Sequence, residues 1–272
     1  MMKGLLLLCL KQVVSFFKYY FMAHQKGILK LKGTVGDITF YKSKEGYLAR
    51  EKGGIDAKRI ATDPAFQRTR ENGQEFGRAG KAGKFLRQAV RSLLKNTSDG
   101  KMISRLTRQM IKVIQADLVN TRGNRNIIDG EAELLQGFEF NIAANLDSTL
   151  TAPFSAVIDR VTGVLTVDIP AFVPAEVIHA PEGANHFRII SAGTEVDFER
   201  GTNTTEINKT VEMPLDMVPT AAISHAHAVT PASVHPLFVL LGIEFLQELN
   251  GAMYPLKDQT FNALAIIKVS GL

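Results

Sequence analysis

Tryptophan is absent and cysteine occurs once, at Cys9. A lone thiol closes no disulfide within the chain, a usage that fits a reducing compartment. Without tryptophan the chain lacks the ring best suited to stacking on a sugar. Catalytic signatures are missing as well: there is no Gly-x-Ser-x-Gly elbow, His-Glu-x-x-His pair, Cys-x-x-Cys pair, Walker loop or kinase set. A paired-carboxylate hydrolase needs no fixed spacing, but the acids of the second half are scattered as on a solvated β face. The expectation is a protein that is not an enzyme, with no cofactor and no small-molecule substrate. A stable membrane span is not expected either, because Lys11 and Lys18 interrupt the apolar start of the chain.

What is present is a chain of 272 residues, 45% hydrophobic and 22% charged, an ordinary globular composition long enough for one large or two ordinary domains. The net charge of +5 hides an asymmetry. Residues 1–130 carry 26 Lys/Arg against 10 Asp/Glu, a net of +16. Residues 131–272 carry 6 against 17, a net of −11. Such a split suggests a basic domain at 22–130 and an acidic domain at 131–272, able to attract each other within or between molecules.

Residues 1–21 start with Lys3 and an apolar run at Leu5–Leu10, as a leader does, but bulky Tyr20, Phe21 and Met22 precede the small Ala23. Three readings stand: an export leader, a membrane-surface helix, or upstream sequence translated ahead of a start at Met22, which is the reading adopted. The last places the protein in the cytoplasm and the first exports it.

Residues 27–54 read as β structure. Ile28–Lys32 alternates, Gly33–Gly36 is a turn, Asp37–Lys42 a strand, Lys44–Gly46 a turn and Tyr47–Arg50 a returning strand. Gly33-x-x-Gly36 lacks the Lys-Ser/Thr of a phosphate loop, so its glycines are assigned to turns that need positive φ.

The stretch from Asp63 to Asp117 reads as two amphipathic helices. Thr62-Asp63-Pro64 is a start signal, with a capping side chain before a proline that has no N–H to leave unpaired. Gly73, Gly77, Gly80 and Gly83 predict irregularity or close backbone packing over 73–83. Beyond them Phe85, Leu86, Ala89, Val90, Leu93 and Leu94 share one side of a helix, and Lys81, Lys84, Arg87, Arg91 and Lys95 the other. After a turn at Asn96–Gly100, a second helix sets Met102, Ile103, Leu106, Met110, Val113 and Ile114 opposite Lys101, Arg105, Arg108 and Lys112. The short link favours an antiparallel pair. The apolar stripes are core. The basic stripes are either a solvated face or a surface that meets an anion: an acidic protein, or a phosphate backbone.

Gly33-x-x-Gly36-x-x-x-Phe40-Tyr41, Gly46-Tyr47-x-x-Arg50 and Thr62-Asp63-Pro64-x-Phe66-x-x-x-Arg70-x-x-x-x-Glu75-Phe76 together resemble a group of uncharacterised bacterial proteins. These begin with a small β-hairpin, continue into basic helices and end in a β-rich region. The resemblance covers about residues 22–95. It implies a layout and no activity.

Residues 118–135 are a polar connection. Arg122, Arg125, Asp129 and Glu131 are read there as a solvated linker with local hydrogen bonds, with a polar site as the alternative. From residue 136 onward short strands succeed one another at Gly137–Ile142, Phe154–Asp159, Val164–Ile169, His186–Ser191, Glu206–Met213, Thr220–His225, Leu237–Leu249 and Ala263–Val269; Leu237–Leu249 is long enough for a helix, and the following Asn-Gly and Tyr254 favour a hairpin. Asp159–Gly163 and Asn250-Gly251 are hairpin turns. The fold class is therefore α+β: an N-terminal β-hairpin and an antiparallel helix pair, followed by an antiparallel β-sandwich. His225-x-His227 sets two imidazoles on one strand face, a weak metal pair with no third ligand fixed by spacing, so no metal is expected. The functional expectation is a structural or assembly protein that associates with itself or an acidic protein surface through its basic helices. Nucleic-acid binding without sequence readout is the alternative.

Overall fold

In the computed structural model, residues 23–51, 54–256 and 259–271 are described. The leader or extension expected at 1–21 lies outside them. The chain divides into two units between Pro64 and Ala65.

In the first unit β1 (Ala23–His24), β2 (Gly33–Val35), β3 (Ile38–Ser43) and β4 (Gly46–Glu51) form an antiparallel sheet in the order β1-β4-β3-β2. The hairpin expected from sequence is its centre, with Tyr41 opposite Leu48. Two expectations need correction. Gly33–Val35 is a strand, and the turn is confined to Gly36-Asp37, where Gly36 has φ 58°. Ile28–Lys32 is not a strand: the Gln25 side chain accepts from Leu31 N at 2.8 Å and donates to Leu48 O at 3.0 Å, closing a loop that leaves Ile28 and Leu29 exposed. A short helix, α1 (Ala57–Thr62), closes the unit. Its cap is Asp56, which accepts from Lys58 N. Asp63, expected to open the next helix, instead ends this one and pairs with Arg59 at 3.1 Å.

The second unit begins with α2 (Gln67–Ala89), α3 (Arg91–Thr97) and α4 (Met102–Gln115). The irregularity expected over 73–83 does not occur: α2 runs unbroken through its four glycines and ends at Val90. Tertiary contacts hold it where propensity is weak. Nor is the backbone packed closely there: an added Cβ at Gly83 would sit in ordinary contact 3.6 Å from Leu106 of α4, and at Gly73, Gly77 and Gly80 it would meet nothing within 4 Å. Farther up α2, buried Glu75 accepts Gly123 N at 2.9 Å and Arg78 donates to the carbonyls of Gly123 and Arg125, so the 118–130 connection is fastened along the helix.

Then come α5 (Leu146–Thr149), β5 (Ser155–Asp159), β6 (Val164–Ile169), α6 (Pro174–Val177), β7 (His186–Val196), β8 (Asn203–Lys209), β9 (Met213–Pro214), β10 (Ile223–Ala228), β11 (Leu237–Leu249), β12 (Ala252–Pro255) and β13 (Ala263–Ser270). A six-stranded antiparallel sheet has β11 at its centre, with β7 on one side and β12 and β13 on the other; β8 and β9 flank β7. The Asn250-Gly251 turn joins β11 to β12, both residues having positive φ as expected. A three-stranded sheet has the order β10-β6-β5.

Alternation along the strands sorts the core into two clusters. Ile190, Ala192 and Val196 of β7, Phe238 and Leu240 of β11, and Leu264 and Ile266 of β13 pack with Ala79, Leu86, Leu93, Leu106, Met110 and Val113 of the helices. Phe187 and Ile189, Val239, Leu241 and Ile243, and Ala265 pack with Leu165, Val167 and Ile169 of β6. The long sheet thus contributes to both clusters, sharing one with the helices and the other with β6. The α+β class and the antiparallel sheets agree with the sequence. The boundary expected at 130/131 does not: the apolar stripes of α2–α4 are buried against the long sheet, so these helices belong with the β region. Among the described residues, no helix is long and apolar enough to cross a membrane.

Candidate functional site

The end of α2 at Val90 leaves an open recess in this unit. The chain turns there and restarts as α3, opening a groove of about 1140 Å³ lined by Lys84, Arg87, Arg91 and Lys95. Leu94 and Met102, both buried, give it an apolar floor. Lys84, Arg91 and Lys95 are exposed, and among the described residues none of them has a carboxylate within ion-pair reach. Arg87 is half-buried and donates from Nε to Gly83 O at 3.1 Å, leaving its terminal nitrogens to the groove.

The other stripe residues are dispersed. Lys81 lies over the Phe85 ring at 5.5 Å. Lys101, Arg108 and Lys112 are exposed on α4 or at its start and do not line the groove. Arg105 is a different kind of residue from its neighbours in the pattern. Its guanidinium pairs with Asp99, donates to Glu139 O at 2.6 Å and Phe140 O at 3.2 Å, and stacks over Phe138. Burial raises the Asp99 carboxyl, but the N–H groups of Ile142 and Lys101 together with Arg105 outweigh it and hold the group below the usual carboxylate range. Arg105 therefore joins the helices to the 138–142 segment and is unavailable to a ligand.

The 118–135 connection is not the solvated linker with local hydrogen bonds expected from sequence: it is tied to α2, and Ile127, Ala132 and Leu135 are buried. Arg122 reaches Asn72 at 2.7 Å and Glu71 at 3.6 Å, and Asp129 accepts from the side chains of Asn120 and Asn126.

His225 and His227 of β10 do face the same way, but the point on which they converge is filled. His225 Nδ1 lies 2.6 Å and His227 Nε2 3.0 Å from the Ser191 hydroxyl of β7. A metal ion bound by both imidazoles would need the space of that oxygen. Among the described residues, no three His, Cys, Asp or Glu side chains are arranged to hold a metal. Nor do the Ser191 and His227 positions make a nucleophile and base, since both are fully buried.

Sequence reasoning missed the buried polar joints of the β region. Glu244 of β11, 2% exposed, accepts from Arg188 Nε at 2.6 Å and from Asn96 Nδ2 of α3 at 3.3 Å, with Lys209 at 3.6 Å. Arg160 donates to the carbonyls of Ser233, His235, Ser270 and Gly271 and to Ser270 Oγ, all between 2.6 and 2.9 Å. A second recess, of about 310 Å³, is lined by the carboxylates Glu195 and Asp197 with His235. Burial raises both carboxyls, yet hydrogen bonds from Ser233, Thr230, Glu199 and Arg200 bring both below their ordinary values, so each is ionised at neutral pH. Neither is poised as a general acid, which needs a raised pKa. Compared with known proteins, the chain matches no protein-family model, no curated protein and no solved structure.

Proposed function

We propose that this is a non-enzymatic assembly protein whose basic groove, formed where α2 meets α3, takes an acidic segment of a second copy. The observation that carries the reading is the state of the groove's cations. Lys84, Arg91 and Lys95 are exposed without an acidic partner among the described residues, although the same unit holds the acid-rich region 131–272. Asp147, Glu176 and Glu182 of that region are exposed and likewise in no ion pair among the described residues. Complementary charges left apart within a molecule remain for contact between molecules, and a head-to-tail contact of this kind joins unlike surfaces.

The groove's apolar floor favours protein over nucleic acid as the occupant. Leu94 and Met102 give an aliphatic side chain a place to bury, whereas a phosphate backbone offers none and bases stack on aromatic rings, which the groove lacks. Carbodiimide cross-linking of a mixture of ¹⁴N- and ¹⁵N-labelled chains tests this. The expected products join Lys84 or Lys95 of one copy to carboxylates of residues 131–272 of another. Their absence at about 50 mM salt, where exposed charges are weakly screened, counts against the reading. A salt-sensitive mobility shift with mixed DNA and RNA, lost on replacing Lys84 and Arg91, would favour the nucleic-acid alternative.

A further inference from the structure

The hydrogen-bond chain that fixes β10 to the long sheet has only one consistent arrangement of protons. Asn208 Nδ2 of β8 has two hydrogens. One goes to Ala226 O at 2.7 Å and the other faces His227 Nδ1 at 3.3 Å, so Nδ1 is an acceptor and bears no proton. His227 is then protonated on Nε2 and donates to Ser191 Oγ at 3.0 Å. The Ser191 hydroxyl passes its own hydrogen to His225 Nδ1 at 2.6 Å, which places the His225 proton on Nε2. These contacts each pair a donor with an acceptor only while both rings are neutral.

The seat is tight. An added Cβ on Gly193 would come within 2.5 Å of His227 Cβ, so the strand approaches β7 as closely as a glycine permits. Ser191 and His227 are each 0% exposed, so no water can stand in for a lost partner. One further tie, from Ala228 N to the Glu206 carboxylate, completes the attachment. On its other side β10 is bonded to β6 along its whole length, from Ile223 opposite Ile169 to Ala228 opposite Val164.

We infer that the Asn208–His227–Ser191–His225 chain is an acid-operated latch, and that proton uptake there releases β10 from β7 and β8 while leaving it paired to β6. A proton added to His227 must go to Nδ1, where it faces an N–H of Asn208 and the tie to β8 at 3.3 Å is lost. A proton added to His225 goes to Nδ1 and turns the Ser191 hydroxyl away. Of the charged and titratable groups around the chain, Glu206 alone favours a charged His227, through its carboxylate and its backbone carbonyl, and burial outweighs it. Glu206 of β8 is engaged by Ala228 N, Asp168 of β6 accepts from Ser224 Oγ, and Glu195 of β7 is held by Ser233 and Thr230. Within β10 each imidazole faces the other, with ring centres 6.3 Å apart. Burial and then the neighbouring His225 push His227 down to about 4, against the opposing pull of Glu206, and burial lowers His225. The latch thus stays shut at neutral pH and opens on acidification, uncovering the apolar face of β6 at Leu165 and Val167.

Amide hydrogen exchange on the full chain at pH 7.5 and pH 4.5, corrected for the intrinsic pH dependence of exchange, tests this. The Ala228 amide, which reports the tie to Glu206, should lose protection by about tenfold or more, while Leu240 at the centre of β11 keeps its own. Ser191→Ala should expose Ala228 at both pH values and so remove the pH dependence. Unchanged protection of Ala228 would overturn the inference, as would parallel loss at Ala228 and Leu240, or a Ser191→Ala variant that keeps the full pH response. A second measurement needs no variant. The ¹⁵N shifts of both imidazoles at pH 7.5 should show Nε2–H tautomers, and a protonated Nδ1 on either ring contradicts the arrangement.

Discussion

Two sets of cations are put to opposite uses in this molecule. Arg105, Arg160 and Arg188 are spent inside the fold, each dividing its fork among carbonyls or carboxylates. Lys84, Arg91 and Lys95 stand around an open groove, with no acid beside them among the described residues. Charge counted along the sequence therefore does not say which cations are available. Arg105 continues the basic stripe at helical spacing, yet it is a rivet. Arg is suited to that work because its planar fork bonds several acceptors at once, which a lysine point charge cannot do.

The contrast is most open to test at Arg160. Arg160→Ala leaves the carbonyls of Ser233, His235, Ser270 and Gly271 without their shared donor. It should cost roughly 2–4 kcal/mol in urea unfolding, with an unchanged slope against denaturant. A loss below about 0.5 kcal/mol, the level of an ordinary surface substitution, would remove Arg160 from the spent set. Arg105→Ala should cost somewhat less, about 1–3 kcal/mol, since Asp99 keeps its bonds from Lys101 and Ile142 N–H groups. Arg105→Lys should recover only part of that loss. Full recovery would mean that charge alone, and not the fork, is what the site needs.

The surroundings of Arg105 include a carboxyl of the opposite character to Asp99. Glu139 is pushed up to about 7, chiefly by burial; its Oε1 accepts from Leu146 N, while Oε2 has no hydrogen-bond partner among the described residues. A carboxyl with a folded-state pKa above its unfolded value binds protons more readily when folded. Its contribution is fully present below about 4.5 and is lost as pH rises through about 7. Glu139→Gln should therefore stabilise the protein at pH 8 by on the order of 1 kcal/mol, with the gain vanishing towards pH 4.5. A gain that is equal at both pH values would place its origin elsewhere. The smallest effect on stability is expected at the groove. Replacing Lys84, Arg91 and Lys95 together by Ala should leave the melting temperature nearly unchanged while altering association, and a marked fall would show that these side chains also serve the fold.

Much of this architecture is readable in the chain. The strand Val164–Ile169 announces itself through its alternation, whereas Leu237–Leu249, a 13-residue run that could equally be a helix, is read as a strand from the Asn250-Gly251 turn after it. The apolar stripe of α4 marks its buried face at Met102, Leu106, Met110, Val113 and Ile114, but Ile103, read with them, is 53% exposed. Other features depend on partners distant in sequence. The four glycines of α2 suggest a weak helix until Leu106 and the 118–130 connection are packed on it. Asp63 looks like a cap for α2, but Arg59 claims it for α1. Thr97 and Met102 flank a turn whose composition is legible, whereas the break at Val90, which opens the groove, has no local breaker residue to reveal it. The His225-x-His227 spacing is visible, and Ser191, which decides what the pair does, is brought to it only by sheet packing.

If the exposed cations of the groove hold copies of this chain together, salt must loosen the assembly. Sedimentation of the full chain at about 50 mM and about 500 mM salt measures this directly, because contacts between exposed charges weaken as the screening length shortens. The expected result is concentration-dependent association at the lower salt, reversal at the higher, and a monomer at both for the combined Lys84→Glu, Arg91→Glu and Lys95→Glu variant. A wild-type chain that sediments as a monomer at every salt concentration would contradict it.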